Sequence, residues 1–231
     1  MMALHPPPNA RVHGLYGGQQ VGVSSDGGFD RAVLWNGPGN PWFDLTPIDA
    51  ISSAANGVFD GQQVGTARFG TFERAAVWHG TAATHVDLHP GWAISSTIWG
   101  VHRGVQAGAA CVPGACRAGI WHGTAGSWFD LADFLPPEFT ESYARGVWRN
   151  ESLTVVAGYG YNIDTGRYEA LLWRNCRVDV DGDGEVQVPD IFAFLSAWFA
   201  GDVSAANFNL DCCVNVTDIF SFLSAWFAGC P

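Results

Sequence analysis

The sequence predicts a mainly β chain of repeated units followed by a small all-α tail. A segment of about 43 residues recurs within residues 1–174. In each copy, short β-branched and aromatic runs alternate with Gly, Asp and Asn clusters, which is typical of strands joined by tight turns. Residues 175–231 instead contain two nearly identical amphipathic helical segments, at 190–201 and 218–229. We therefore predict a domain boundary between residues 174 and 175.

Four copies of the repeat can be aligned, beginning near Gly14, Gly57, Gly100 and Gly146. Each copy offers three or four short strands, such as QQVGV, RAVLW and WFDL in the first. An all-β period of this length has the size of one propeller blade. The sequence therefore predicts a β-propeller-like repeat domain of about four blades.

The fourth copy ends after Trp173 without a strand equivalent to WFDL. Residues 3–6 (ALHP) match residues 87–90 (DLHP), so one interpretation is that an N-terminal strand completes the last blade and closes the ring. The other interpretation is that the chain starts inside a larger propeller, which would also explain why no signal peptide is visible. Both interpretations stay open at this point.

Two features recur at fixed places in the repeats. An Arg precedes an Asp by 13 residues in the first three copies, and we expect an ion pair or hydrogen bond in each; the pairs are Arg31 with Asp44, Arg74 with Asp87, and Arg117 with Asp130. In the fourth copy Glu169 and Ala3 take these places, so both partners are lost together. The second feature is a Trp, found at Trp35, Trp78, Trp121 and Trp173. A ring of Trp side chains could bind sugar faces, but a residue repeated in every blade more often packs in the core, so we expect a core role.

The composition excludes two classes of partner and indicates a compartment. The formal net charge is −11 and all 11 basic residues are Arg, so a nucleic acid is not an expected partner. No run of 18 apolar residues occurs, so no membrane span is expected. Cys111 and Cys116 flank the turn sequence VPGA, where a disulfide would close a hairpin. Such a bond indicates an oxidising compartment, and we expect an extracellular or cell-surface location.

No catalytic residue is assigned, because the chain lacks the serine-hydrolase, zinc-protease, Walker and dinucleotide-binding motifs. Three carboxylates do interrupt the repeat pattern, Glu138, Glu141 and Glu151. Paired carboxylates carry out glycoside hydrolysis, and they need no fixed spacing in the sequence when they come from different strands. A solvated loop explains these three residues equally well.

A calcium-binding loop is predicted at the start of the tail. Residues 179–190 carry acids at loop positions 1, 3, 5 and 12, which is the ligand spacing of calcium loops. The predicted ligands are Asp179, Asp181, Asp183, the Glu185 carbonyl, Gln187 through a water molecule, and Asp190. Four carboxylates in one loop repel each other, so we expect the cation to order the loop.

A second and weaker calcium loop is predicted 28 residues later. Its ligands are Asn207, Asn209, Asp211, the Cys213 carbonyl, Asn215 and Asp218. It has two carboxylates where the first loop has four, and Cys212 stands where the first loop has its turn glycine. We expect this loop to be weakly occupied or empty.

The repeats resemble the HAF-type extracellular repeats of bacterial surface and secreted proteins. Those repeats consist roughly of VG, then RA with two apolar residues and W, then DL. The matching segments here are VG with RAVLW at 21–35, VG with RAAVW at 64–78, G with RAGIW at 108–121, and G with ALLW at 158–173. The resemblance implies an extracellular location rather than any activity.

The tail, residues 176–231, resembles a type I dockerin of the bacterial variety whose chains end in Gly-Cys. Each of its two loops is followed by a helix but not preceded by one. The resemblance implies a pseudo-twofold pair of helices with two facing apolar surfaces: Ile191, Phe194, Leu195 and Trp198 against Ile219, Phe222, Leu223 and Trp226. The two ends of the tail would then meet, so we expect a disulfide between Cys176 and Cys230. Cys212 and Cys213 leave other connectivities open, including a vicinal bridge.

Dockerins bind cohesin domains and typically anchor carbohydrate-active enzymes to a scaffold or cell surface. In the family, loop positions 10 and 11 contact the partner; here these are Val188, Pro189, Val216 and Thr217. The best-known members carry small hydroxyl pairs there, so a different surface partner stays open beside a cohesin-like one, and carbohydrate is a further candidate ligand.

Two functions are therefore considered. One is a secreted or surface-displayed, non-catalytic protein whose calcium-dependent tail anchors a repeat domain. The other is a dockerin-borne carbohydrate-active enzyme of polysaccharide degradation, with its active site in the propeller. The lack of a symmetry-breaking acidic cluster favours the first.

Overall fold

Fifteen strands form four antiparallel sheets in the part of the chain that the structure describes. This structure is a computed structural model that describes residues 7, 9–37, 41–183, 185–209, 211 and 213–229, without the side chains of Asp26 and Ser204. The chain divides into two compact units. The first comprises residues 1–148 and 156–173, and the second comprises residues 149–155 and 174–231. The predicted mainly β class is confirmed.

Each sheet follows the chain order of its strands. The first sheet contains β1 (Ala10–Tyr16), β2 (Gln19–Asp26), β3 (Phe29–Trp35) and β4 (Trp42–Asp44). The second contains β5 (Ser52–Phe59), β6 (Gln62–Arg68), β7 (Glu73–Trp78) and β8 (Val86–Asp87). The third contains β9 (Ser95–His102), β10 (Val105–Val112), β11 (Ala115–Trp121) and β12 (Phe129–Asp130). The fourth contains β13 (Phe139–Arg149), β14 (Leu153–Asn162) and β15 (Arg167–Cys176).

Within the described residues the fourth sheet has three strands, and its repeat lacks a WFDL-like segment. Residues 3–6, which could supply the missing strand by one interpretation of the sequence, lie outside the described residues, as does Ala3 in the predicted Asp position.

The second strand of the first three sheets is buried on both faces in its middle. Small residues make this possible. A Cβ atom at Gly65 would lie 1.9 Å from the Ala54 carbonyl oxygen of β5, so only glycine fits there. Gly22 and Gly108 occupy the same place, and in each case the first strand of the sheet carries a bulge nearby.

Hydrophobic clusters join each sheet to the next one along the chain. Three of the repeated Trp side chains belong to these clusters: Trp78, Trp121 and Trp173. Trp35, Trp78 and Trp121 are fully buried, and Trp173 is nearly so. The predicted core role of these residues is confirmed. A ring of exposed Trp side chains at this position is thereby excluded.

Polar contacts also recur with the period of the sequence repeat. The Ser53 hydroxyl of β5 accepts a hydrogen bond from the Ala32 amide of β3 at 2.8 Å, and Ser96 and Ser142 do the same for the next two sheets. The three predicted Arg–Asp pairs also form, at 2.9, 3.0 and 2.5 Å. In the fourth repeat Glu169 instead pairs with Arg167, at 3.2 Å.

The tail contains α1 (Val188–Ala200), the single turn α2 (Val203–Ala206) and α3 (Val216–Ala228). The two long helices begin two residues earlier than predicted, because Gln187 and Asn215 serve as N-caps and donate their amides to the carboxylates of Asp190 and Asp218.

The predicted facing surfaces do pack together. The rings of Phe194 and Phe222 stack with centroids 4.1 Å apart, and Phe208 meets both edge-on. Among the described residues, no helix has the length and apolarity that a membrane span requires.

Candidate metal centre

Three carboxylates converge in the first loop of the tail. Asp179, Asp181 and Asp183 each offer an oxygen atom, and these atoms lie within 4.8 Å of one another. Within the described residues, this is the one group of three His, Cys, Asp or Glu side chains whose ligand atoms come so close. Hard oxygen ligands at this spacing suit a cation such as Ca²⁺.

The backbone of the loop orients these side chains. Asp179 accepts a hydrogen bond from the Gly182 amide at 2.8 Å, and Asp183 accepts one from the Glu185 amide at 2.8 Å. Each of these two bonds is accepted by Oδ1 of the carboxylate. Gly182, with φ +77°, supplies the turn that brings the three acids together.

Asp190, the predicted ligand at position 12, is buried and accepts hydrogen bonds from backbone amides of the loop. Its Oδ1 accepts the amides of Val180 at 2.7 Å and Asp181 at 3.3 Å, and its Oδ2 accepts the amide of Gln187 at 2.7 Å. An ionised carboxylate has about four lone-pair sites, so a fourth contact to a cation fits. The remaining predicted ligands, Glu185 and Gln187, are exposed, and the Gln187 amide group donates to the Glu185 carboxylate.

In the second loop, side-chain oxygen atoms accept hydrogen bonds from other groups of the same loop. The Asn209 side-chain amide donates to Asp211 Oδ2 at 2.9 Å and to the Thr217 hydroxyl at 2.9 Å. Asp211 Oδ1 accepts the Cys213 amide at 3.2 Å. The Cys213 amide and the Asn209 side chain hold the pKa of Asp211 below its ordinary value. A side-chain amide hydrogen therefore occupies Oδ2 of Asp211, one of the oxygen atoms predicted to bind the cation.

Asp218 is the counterpart of Asp190 in the second loop. It is buried, and its two oxygens accept the amides of Asn209 at 3.1 Å and Asn215 at 2.8 Å. Asn207 is also nearly buried, and its side-chain oxygen accepts the Asp211 amide at 3.2 Å. Cys212, the predicted replacement for the turn glycine, lies outside the described residues.

Two indole groups connect each helix to the opposite loop. Trp198 of α1 donates from Nε1 to the Asn215 carbonyl at 3.0 Å, and Trp226 of α3 donates to the Gln187 carbonyl at 3.0 Å. Gln187 and Asn215 both stand at loop position 9. The pair of bonds follows the pseudo-twofold symmetry that the doubled sequence predicts.

Arg177 is a structural residue that sequence reasoning missed. Its guanidinium donates to the carbonyls of Glu151 at 2.7 Å, Phe208 at 2.9 Å and Asn207 at 3.3 Å, and it packs over the Phe208 ring. Burial, together with the nearby Arg149, lowers the pKa of Arg177 to about 9, so it stays charged at neutral pH. Its position next to Cys176 in an otherwise acidic tail was the only available signal.

The predicted partner-contacting residues lie at the exposed starts of the two helices. Val188 and Val216 are each 55% exposed, and Pro189 and Thr217 are also exposed. Two Phe side chains continue an apolar stripe along each helix. The stripes comprise Val188, Phe192 and Phe199 on α1, and Val216, Phe220 and Phe227 on α3.

These two stripes match residue by residue. The exposed fraction is 66% at Phe192 and 65% at Phe220, and it is 78% at both Phe199 and Phe227. Residues four and seven positions apart share one side of a helix, so the three apolar residues of each stripe lie on one face, with the exposed Ser196 or Ser224 between the two Phe side chains.

Three of the described cysteines are disulfide-bonded. Cys111 and Cys116 form the predicted disulfide across the β10–β11 hairpin. Cys176 also takes part in a disulfide, while its predicted partner Cys230 lies outside the described residues.

Of the three carboxylates considered for hydrolysis, that of Glu141 accepts side-chain hydrogen bonds. Glu141 accepts hydrogen bonds from the hydroxyls of Tyr143 at 3.1 Å and Tyr168 at 3.2 Å. Burial and this carboxylate raise the pKa of Tyr143 to about 12. Glu138 and Glu151 contribute backbone carbonyls, to Ile163 and Arg177.

Comparison of the sequence with models of protein families and with curated proteins finds no match.

Proposed function

We propose that this chain is a secreted or cell-surface, non-catalytic protein whose calcium-dependent, dockerin-type tail anchors a propeller-like repeat domain to a cohesin-like or other surface partner. The observation that carries the proposal is the convergence of Asp179, Asp181 and Asp183 within 4.8 Å at the start of one of two matched helices. Calcium is the cation proposed, since all predicted ligands are oxygen atoms and the loop is long and irregular.

The matched apolar stripes on α1 and α3 support the docking role. Monomeric proteins rarely expose several large apolar side chains on one face of a helix, and helices with such faces commonly bind protein partners. The two stripes have equal exposure at equivalent positions, so they offer a partner two equivalent contact surfaces. A loop ordered by calcium would fix the start of each helix and hence the position of Val188 and Val216.

The propeller-like part of the proposal is supported by how successive sheets meet. Their cores are shared between neighbours, and their first strands approach closely at glycines. A Cβ atom at Gly100 would lie 3.0 Å from the Gly146 Cα, and one at Gly57 would lie 2.9 Å from the Trp99 carbonyl. The Cys111–Cys116 disulfide supports a location outside the reducing cytosol.

Calorimetric titration of the calcium-free full chain with Ca²⁺ tests the proposal. We expect one strong binding event, which Asp183→Asn weakens at least tenfold because it removes a ligand charge. Asp164→Asn, an exposed change in a turn of the repeat domain, is the matched control and should leave the titration unchanged. A chain that shows no heat of binding would contradict the calcium proposal.

Docking is tested by surface plasmon resonance with immobilised bacterial cohesin domains, in calcium and in EDTA. Binding in calcium that is lost both in EDTA and in the double variant Phe192→Ser, Phe220→Ser would support the anchoring role. Binding that persists in EDTA would contradict a calcium-dependent tail.

A further inference from the structure

Four aromatic side chains from the four sheets form a row at one end of the repeat domain. They are Tyr16, Phe59, His102 and Trp148, and each lies at or near the end of the first strand of its sheet. The ring centroids of Tyr16 and Phe59 are 4.2 Å apart, those of Phe59 and His102 4.1 Å, and those of His102 and Trp148 6.2 Å. The row therefore continues across all four sheets.

The hairpin turns hold this row in place. In the first three sheets the aromatic residue is followed at once by a two-residue turn with positive φ at both positions: Gly17–Gly18, Asp60–Gly61 and Arg103–Gly104. Such tight turns match the twist of the strands and leave little freedom to the residue before them. The row is thus preorganised, which lowers the entropic cost of binding a ligand.

The two ends of the row are accessible. Tyr16 is 41% exposed and Trp148 is 47% exposed, whereas Phe59 and His102 between them are half-buried. Both exposed end rings sit at positions equivalent in the repeat. Neither the core nor the proposed metal site uses them.

A cavity of about 400 Å³ opens beside Tyr16. Its described lining consists of Tyr16, Gly17, Gly18, Gln19, Asn36, Asp60 and Gly61. This volume falls within the range of about 300–1,000 Å³ that is typical of small-ligand sites. The glycines leave backbone groups open to close approach, and one aromatic ring with three polar side chains gives the mixture that such sites use to orient a ligand.

The lining indicates the charge and chemistry of the ligand. None of the described lining residues is basic, and Asp60 contributes a carboxylate, so an anionic ligand is disfavoured. Gln19 holds Asn36 through one amide hydrogen at 3.0 Å, and its amide nitrogen carries a second hydrogen. An ammonium group can only donate hydrogen bonds, whereas a hydroxyl group can donate to Asp60 and also accept from an amide.

We propose that the aromatic row and the adjoining cavity form a binding site for a neutral oligosaccharide, with sugar rings against Tyr16 and Trp148 and hydroxyl groups on Gln19, Asn36 and Asp60. The site is separate from the proposed calcium-dependent docking of the tail. It would give the anchored repeat domain a ligand of its own.

Titration of the full chain in EDTA tests this site without involving the tail. The probes are the neutral hexasaccharides of cellulose, xylan and mannan, with oligogalacturonate as an anionic probe and oligomeric chitosan as a cationic one. We expect at least one neutral hexasaccharide to bind, and Tyr16→Ala and Trp148→Ala each to weaken that binding about tenfold. Tyr16→Phe keeps the ring and should retain most of the affinity.

Phe72→Ala provides the matched control, since Phe72 is an exposed aromatic residue of the same domain that is 51% exposed and outside the row. It should leave binding unchanged, and thermal unfolding should show that every variant folds. The proposal is overturned if no neutral probe binds at concentrations up to about 10 mM. Equal losses in Phe72→Ala and Tyr16→Ala, or a preference for either charged probe, would overturn it as well.

Discussion

Asp190 is expected to stabilise the tail even without metal, because its buried carboxylate accepts three backbone amides. Asp190→Asn replaces one of its oxygens with an NH₂ group that faces an amide donor. A hydrogen bond to a charged group contributes about 1.5–3 kcal/mol, and an unpaired buried donor costs about 1–3 kcal/mol. We therefore expect a loss of about 2–4 kcal/mol, a large part of the stability of a unit of this size.

Asp183→Asn is the matched comparison in the same loop. Asp183 is exposed, and its substitution by Asn keeps an oxygen that can accept the Glu185 amide. In EDTA we expect its effect on stability to stay within about 0.5 kcal/mol. In calcium, both substitutions should weaken binding, because each removes a ligand charge.

Hydrogen exchange followed by mass spectrometry distinguishes the two cases within the full chain. In EDTA, amides of α1 should exchange about 30- to 700-fold faster in Asp190→Asn, the range that corresponds to 2–4 kcal/mol, and at the original rate in Asp183→Asn. Equal exchange in the two variants would refute the reasoning, since it would mean that the buried hydrogen bonds of Asp190 add nothing to the stability of the loop.

Three further predictions concern the second loop and the repeat domain. Exchanging the ligand types at loop position 3, by Asn209→Asp and Asp181→Asn, should raise calcium affinity in the second loop and lower it in the first, each by about tenfold in calorimetry; unchanged affinities would contradict the role of the Asn209 amide. Gly65→Ala should destabilise the repeat domain by about 3 kcal/mol through the clash with a backbone carbonyl, whereas Gly70→Ala, with open space around it, should leave the melting temperature nearly unchanged. Burial lowers the pKa of His89 below its ordinary value of 6.5, so the folded protein favours the neutral imidazole. The contribution of this neutral form to stability is complete above pH 6.5 and is lost as the pH falls through the lowered pKa. The melting temperature should therefore decline below about pH 6.5, and His89→Gln should flatten that decline.

Positions that keep their residue type in every repeat could be interpreted from the sequence. The four Trp residues and the Arg–Asp pairs recur at one position of the repeat. A residue that recurs in this way has the same structural role in each sheet, which leaves core packing or contacts between strands as its expected role. The loop acids could be assigned for a similar reason, because calcium ligation demands oxygen atoms at set positions. The hydroxyls of Ser53 and Ser96 stand 43 residues apart and were detectable on the same grounds.

The sequence does not reveal the role of positions that are equivalent in each repeat but carry different residue types. Tyr16, Phe59, His102 and Trp148 are equivalent, yet no two are identical, and only the packing of neighbouring sheets shows that their rings meet. The starts of α1 and α3 were also misplaced, because the helix boundary depends on carboxylates three residues inside the helix that bind the capping amides. These positions recur in the sequence, but the contacts that their side chains make are visible only in three dimensions.

The crossed indole bonds of Trp198 and Trp226 have a thermodynamic consequence. Each helix depends for one of its hydrogen bonds on the order of the opposite loop, so a cation that orders one loop also improves the partner of the other helix. Linkage requires this coupling to act equally in both directions. We expect calcium in the first loop to hold both helices in place, so that its removal loosens the contact surfaces of α1 and α3 together rather than one after the other.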